Sequence, residues 1–148
     1  MNLQLLKHPN SILTTKINDK TYPTVEEAEQ SYAIMKLNHG VGIAAPQVGI
    51  SKRFFWFNDE LVINPEIIHK DAKLLIISEG CLSLPGESWS VIRHFSIIVK
   101  YKTYLGKFNK DSFITAKLTG INSVIFQHEY DHLEGIMINN ISHRQALL

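Results

Sequence analysis

The run Thr119-Gly120-Ile121-Asn122-Ser123-Val124-Ile125-Phe126-Gln127-His128-Glu129-Tyr130-Asp131-His132-Leu133 decides how this chain is read. It predicts a helix from about Thr119 to Leu133, with Gly135 marking its end. Inside it lies His-Glu-x-x-His. On a helix, His128 and His132 project from one face, within reach of one ion. Glu129 sits beside the first histidine, where its carboxylate can meet a metal-bound water instead of the metal, the arrangement expected of a general base; histidines decorating an exposed helix face are the alternative. Val124, Ile125 and Phe126 just upstream imply that the helix is largely buried. Two histidines and a glutamate in such a place need partners, because unpaired buried polar groups are costly.

A catalytic zinc-type site takes three protein ligands and leaves one position open. The third candidate is Cys81, in Glu79-Gly80-Cys81-Leu82-Ser83-Leu84-Pro85, directly after a predicted strand. Gly80 before it and Pro85 after it suggest a strand-end turn that aims a side chain at a site. As the single cysteine it has no intramolecular disulfide partner, and a buried structural thiol or a nucleophile are its other readings.

Gly40-Val41-Gly42-Ile43-Ala44-Ala45-Pro46-Gln47 is not a phosphate-binding loop. It leads toward a strand, opens no helix and lacks the Lys-Ser/Thr of a P-loop. Small residues here let another backbone approach, such as an extended peptide. Gln47 can donate to an oxyanion or accept from a water. A tight helix-to-strand connection with packing alanines is the alternative.

Farther out, Pro23 to about Asn38 reads as a helix, with Thr24 as N-cap, Glu26 and Glu27 in its first turn, and His39-Gly40 ending it. Strands are expected at Arg53–Phe57, Leu61–Ile63, Leu74–Ser78, Ser96–Tyr104 and Lys107–Thr115, with a hairpin turn at Leu105-Gly106. Strands clustered between two helices predict an α+β fold of short, mostly antiparallel sheets packed around the histidine-bearing helix. At 148 residues the chain is expected to form a single domain, 1–148. Hydrophobic residues at 45% and charged ones at 20% exclude a disordered chain, and a net charge of +1 excludes the broad footprint of a nucleic-acid binder. No secretory signal is visible, and no apolar run approaches the roughly 20 residues a bilayer span needs. A cytoplasmic location is expected, with neither membrane nor sequence-specific nucleic acid as partner.

The three segments together resemble the peptide deformylase family. That family carries Gly-x-Gly-φ-Ala-Ala-x-Gln, Glu-Gly-Cys-Leu-Ser and Gln-His-Glu-x-Asp-His-Leu in this order, matched here by Gly40 to Gln47, Glu79 to Ser83 and Gln127 to Leu133. The likeness extends from about Leu3 to Ser142. It implies an enzyme that hydrolyses the formyl group from N-terminal N-formylmethionine on nascent chains. Cys81, His128 and His132 would bind one divalent ion, natively Fe(II), with Zn(II), Ni(II) or Co(II) in purified protein. Glu129 would move the proton, while Gln47 and the Leu82 backbone N–H would stabilise the oxyanion. Peptide would lie as an added strand along Val41 and Gly42, with Gly80 opposite, and methionine would enter a pocket of Val41, Ile121, Val124 and Ile125. Glu79, Arg93 and Asp131 would form a charged cluster behind the ligands.

Two departures stand out. Many bacterial members carry an arginine seven residues after the cysteine, where Ser88 stands here, so substrate fit beyond methionine is open. The sequence also runs only six residues past Ser142, where typical bacterial members continue as a basic, ribosome-contacting helix. Ribosome docking through such a helix is not assumed, and the short form resembles phage-encoded members. Two rivals are weaker. Zinc endopeptidases share His-Glu-x-x-His but draw a later His or Glu, and only Glu134 and His143 follow. A non-catalytic metal or peptide binder would need neither Glu129 nor Gln47.

Overall fold

A computed structural model describes residues 2–103 and 113–141. Helix α1 spans Val25–Leu37 and starts on a capping box: the Thr24 hydroxyl accepts from the Glu27 N–H, and the Glu27 carboxylate accepts from the Thr24 N–H. Its end differs from expectation. His39, not the glycine, takes the left-handed conformation (φ 57°). Gly40 serves packing instead, since a Cβ there would lie 2.8 Å from Leu82 Cδ1.

Five antiparallel strands form the main sheet in the order β1 (Gly42–Ala44), β2 (Phe54–Phe57), β3 (Glu60–Lys70), β6 (Ser96–Lys102) and β7 (Ile114–Thr119). Strands β4 (Leu74–Cys81) and β5 (Leu84–His94) pair as a separate ribbon, closed by the two-residue turn Leu82-Ser83. The α+β architecture is as expected. Several boundaries are not. β3 runs well past Ile63, because Asn64 at φ 50° and Pro65, which lacks an N–H, interrupt the ladder to β6 without ending the strand. β1 and β5 were not expected as strands at all. The Leu105-Gly106 turn and most of Lys107–Thr115 lie outside the described residues; β7 begins at Ile114.

Alternation along the strands builds two cores. Ile43, Phe54, Leu61 and Ile63 face α1 with Ala28 and Met35. Ala44, Phe55, Phe57, Val62 and Val99 face the opposite side, against Phe126 and Leu133 of helix α2 (Ile121–Leu133). Phe126 meets Phe55 and Phe57 edge-on at centroid distances of 5.0 and 5.5 Å, contacts worth about 0.5–1.5 kcal/mol each beyond their buried area. Its other side turns to the ribbon, through Gln127, His128 and Asp131. A helix engaged on two sides has Gln127, His128 and Asp131 committed to partners rather than to water. A third cluster of Leu13, Leu84, Val91, Met137 and Ile138 underlies the ribbon.

Candidate metal centre

Helix α2 carries His128 and His132 one turn apart, and the end of β4 brings Cys81 to them. Their three potential ligand atoms lie within 4.8 Å of one another. Cys81 Sγ stands 3.5 Å from His132 Nε2, the spacing expected of two ligands to one ion at about 2.0–2.3 Å each. His128 Nδ1 lies 2.8 Å from Glu79 Oε1, which leaves its Nε2 for a metal and fixes the ring. Glu79 in turn accepts two bonds of 2.8 Å from Arg93, whose third nitrogen reaches Asp131 on the ligand helix. The charged cluster expected from Glu79, Arg93 and Asp131 is therefore continuous with the histidine.

Electrostatics fit a cation. Burial opposes a proton on His128, but Glu129, Cys81 and Glu79 outweigh it and raise the imidazole to about 10. Burial, His128 and Arg93 hold His132 well below its usual range, in the neutral form that ligates. Burial pushes the Glu129 carboxyl up to about 7, against the pull of His128.

Glu129 is almost fully buried, and its Oε1 has no hydrogen-bond partner among the described residues. A Cβ on Gly42 would stand 2.5 Å from its Oε2, so the glycine makes room for the carboxylate. Gln47, 1% exposed, accepts from the Ala44 N–H at 2.9 Å and donates toward Ser83 Oγ at 3.1 Å and Cys81 Sγ at 3.6 Å. A cavity of about 640 Å³ opens from these groups, and its lining includes Val41, Gly42, Gly80, Leu82, Ile121, Val124 and Ile125. Its walls are mostly apolar near α2, where Val124 is buried and Ile121 lies exposed at the mouth.

The comparisons agree with this geometry. The family model described as polypeptide deformylase matches residues 2–146. This chain belongs to the polypeptide deformylase family. A peptide deformylase of a Thermotoga species is 39% identical over 139 residues, covering 90% of this chain and 80% of that protein. A Met-Ala-Ser-bound peptide deformylase from Acinetobacter baumannii superposes with a TM-score of 0.82 at 31% identity, covering 95% and 98% of the two chains. A probable peptide deformylase from a Synechococcus phage gives 0.82 at 30% identity, covering 94% and 99%.

All twelve site residues expected in this deformylase from the sequence surround one cavity or its metal-ligand end. Three supporting residues escaped that reading. Gln127 bonds both the N–H and the C=O of His94, joining α2 to the end of β5 as a strand neighbour would. Arg53 donates to the carbonyls of Ile17 and Leu133 and pairs with Glu134, closing the C-terminal end of α2. Ser83 is fully buried against Gln47. For Gln127 and Ser83 the only sequence signal was membership of the motifs, and Arg53 gave none.

Proposed function

We propose that this chain hydrolyses the formamide of N-formylmethionyl peptides, consuming one water and releasing formate and a free N-terminal amine. The observation that carries it is the buried Glu129 carboxylate, its Oε1 without a partner among the described residues, beside a Cys-His-His donor set at the end of an apolar cavity. Cys81, His128 and His132 would hold a divalent metal, which would supply Lewis-acid polarisation of the formyl carbonyl and acidification of water. Glu129 Oε1 accepts the proton of the attacking water and returns it to the departing amine nitrogen. The Gln47 Nε2–H and the Leu82 backbone N–H donate to the oxygen on which negative charge develops.

Val41, Ile121, Val124 and Ile125 take the methionine side chain, excluding water from it. Val41 and Gly42 offer one backbone edge to the peptide, and Gly80 the other. We assign Fe(II) as the native ion, with Zn(II), Ni(II) or Co(II) as replacements. A ferrous ion beside the Cys81 thiolate leaves the site open to oxidation of both metal and sulfur. We assign the activity to the compartment where nascent formylated chains are made, the cytoplasm for a bacterial or phage-encoded form; no helix among the described residues is long and apolar enough to cross a membrane.

Formate release from formyl-Met-Ala-Ser, by protein loaded anaerobically with Fe(II), tests the reading. The parent is expected to turn over. Glu129→Ala should lose about 10²-fold or more in kcat while retaining metal. A folded, metal-loaded parent that releases no formate would sink the assignment.

A further inference from the structure

The direction of every hydrogen bond around Gln47 is fixed by backbone groups that have no choice. The Ala44 N–H can only donate, so the side-chain atom 2.9 Å from it is the amide oxygen, and the nitrogen is the atom that faces Ser83 and Cys81. The Leu6 carbonyl can only accept, so the Ser83 hydroxyl, 2.8 Å away, spends its one proton there. Ser83 Oγ must therefore meet Gln47 Nε2, at 3.1 Å, with a lone pair. One amide proton is consumed by Ser83. The second is left pointing to the metal-ligand side, where Cys81 Sγ lies 3.6 Å from the nitrogen.

Ser83 is wholly buried, Gln47 is 1% exposed, and the N-terminal segment that ends the chain of bonds is itself strapped on twice. Leu6 N–H donates to the Gln47 carbonyl at 2.7 Å, and His8 N–H donates to the Ser83 carbonyl at 2.9 Å. With Ser83 and Gln47 both buried, these partners hold one another, and an amide rotated by half a turn would set its N–H₂ against the Ala44 N–H.

We infer that Ser83, held by the Leu6 carbonyl, is a positioning residue that aims one Gln47 Nε2–H into the reaction site. The inference rests on the proposed deformylase chemistry and adds to it a residue that touches neither metal nor substrate. Its worth lies in preorganisation: a donor already pointed at the developing oxyanion needs no rotation when charge appears.

Two measurements test it, one of them without turnover. In ¹⁵N-labelled protein the Gln47 side-chain amide, assigned by its loss in Gln47→Ala, should exchange slowly with solvent. Ser83→Ala should speed that exchange at least tenfold, and Ser83→Cys, which is somewhat larger and a weaker acceptor, should do so to a smaller degree. On formyl-Met-Ala-Ser, Ser83→Ala should lower kcat about tenfold with KM within about twofold and metal content unchanged. In a Gln47→Ala background the same Ser83→Ala change should cost no further kcat. An unchanged amide exchange rate, or an equal fall in kcat in both backgrounds, would overturn the inference. The amide readout stands whether or not the parent releases formate, so a failure of the deformylase reading is seen separately.

Discussion

At position 42 the fold leaves no room for even a methyl group. A Cβ would come within 2.5 Å of Glu129 Oε2, 2.9 Å of its Cδ and 3.0 Å of its Cγ, so the whole carboxylate would have to move. Glu129 is 4% exposed and lines the cavity, so making room for a Cβ means turning its carboxylate away from its present position there. Gly42→Ala is therefore expected to lower kcat/KM for formyl-Met-Ala-Ser at least tenfold. The overpacking should reduce unfolding free energy by about 1–3 kcal/mol, read by urea titration. Full activity in this variant would mean that the position of Glu129 against Gly42 is not needed for turnover. Gly80 provides the contrast: a Cβ there meets only the Glu87 carbonyl oxygen, at an ordinary 3.8 Å.

Among the elements, α1 shows how a local motif turns into pH-dependent stability. Burial alone would raise the Glu27 carboxyl, but hydrogen bonds from Lys52 and from the Thr24 backbone outweigh it and bring it below its ordinary 4.5. A folded pKa below the unfolded one means that the contribution is fully present above about pH 4.5 and is lost as pH falls through the lower folded value. Glu27→Gln should cost about 1 kcal/mol at pH 7, the worth of a capping interaction, and the gap to the parent should narrow toward pH 3. Urea titrations of both proteins at the two pH values measure it; a gap that widens in acid contradicts the assignment. α1 and α2 were legible in the sequence because capping residues and apolar spacing are local signals. β5 was not. Its start, Leu84-Pro85-Gly86-Glu87-Ser88, carries turn residues, and its buried Arg93 breaks the apolar pattern, its place beside Glu79 and Asp131 following only from the family resemblance. β1 hid for another reason. Its three residues are all buried, with no alternation to betray a strand. The metal ligands were legible because their chemistry depends on spacing and residue type. Ser83 and Arg53 act through carbonyls that are distant in sequence, Leu6 and Leu133, and no pattern along the chain marks such pairs.

Across the whole molecule, the metal site joins the two-stranded ribbon to the helix that packs on the main sheet. Cys81 belongs to the two-stranded ribbon, while His128 and His132 ride on the helix packed against the five-stranded sheet. An ion held by all three cross-links ribbon to helix, over and above the Arg93 bridge and the Gln127 bonds to His94. Because the unfolded chain scatters these ligands, binding adds to folding stability as RT ln(1 + [M]/Kd). With free metal at about 1,000 times Kd this amounts to about 4 kcal/mol, and for a chain of this size each kcal/mol shifts Tm by roughly 2–4 °C. Stripping the ion with a chelator should thus lower Tm by about 8–16 °C, and restoring Zn(II) should recover it. Cys81→Ser, which replaces the thiolate with a weak ligand, should retain little of that increment and melt close to the metal-free parent with or without Zn(II). A parent whose Tm ignores the chelator while the metal is shown to leave would mean that the three side chains do not act as one centre. A Cys81→Ser variant that keeps the full increment would move the third ligand away from the ribbon.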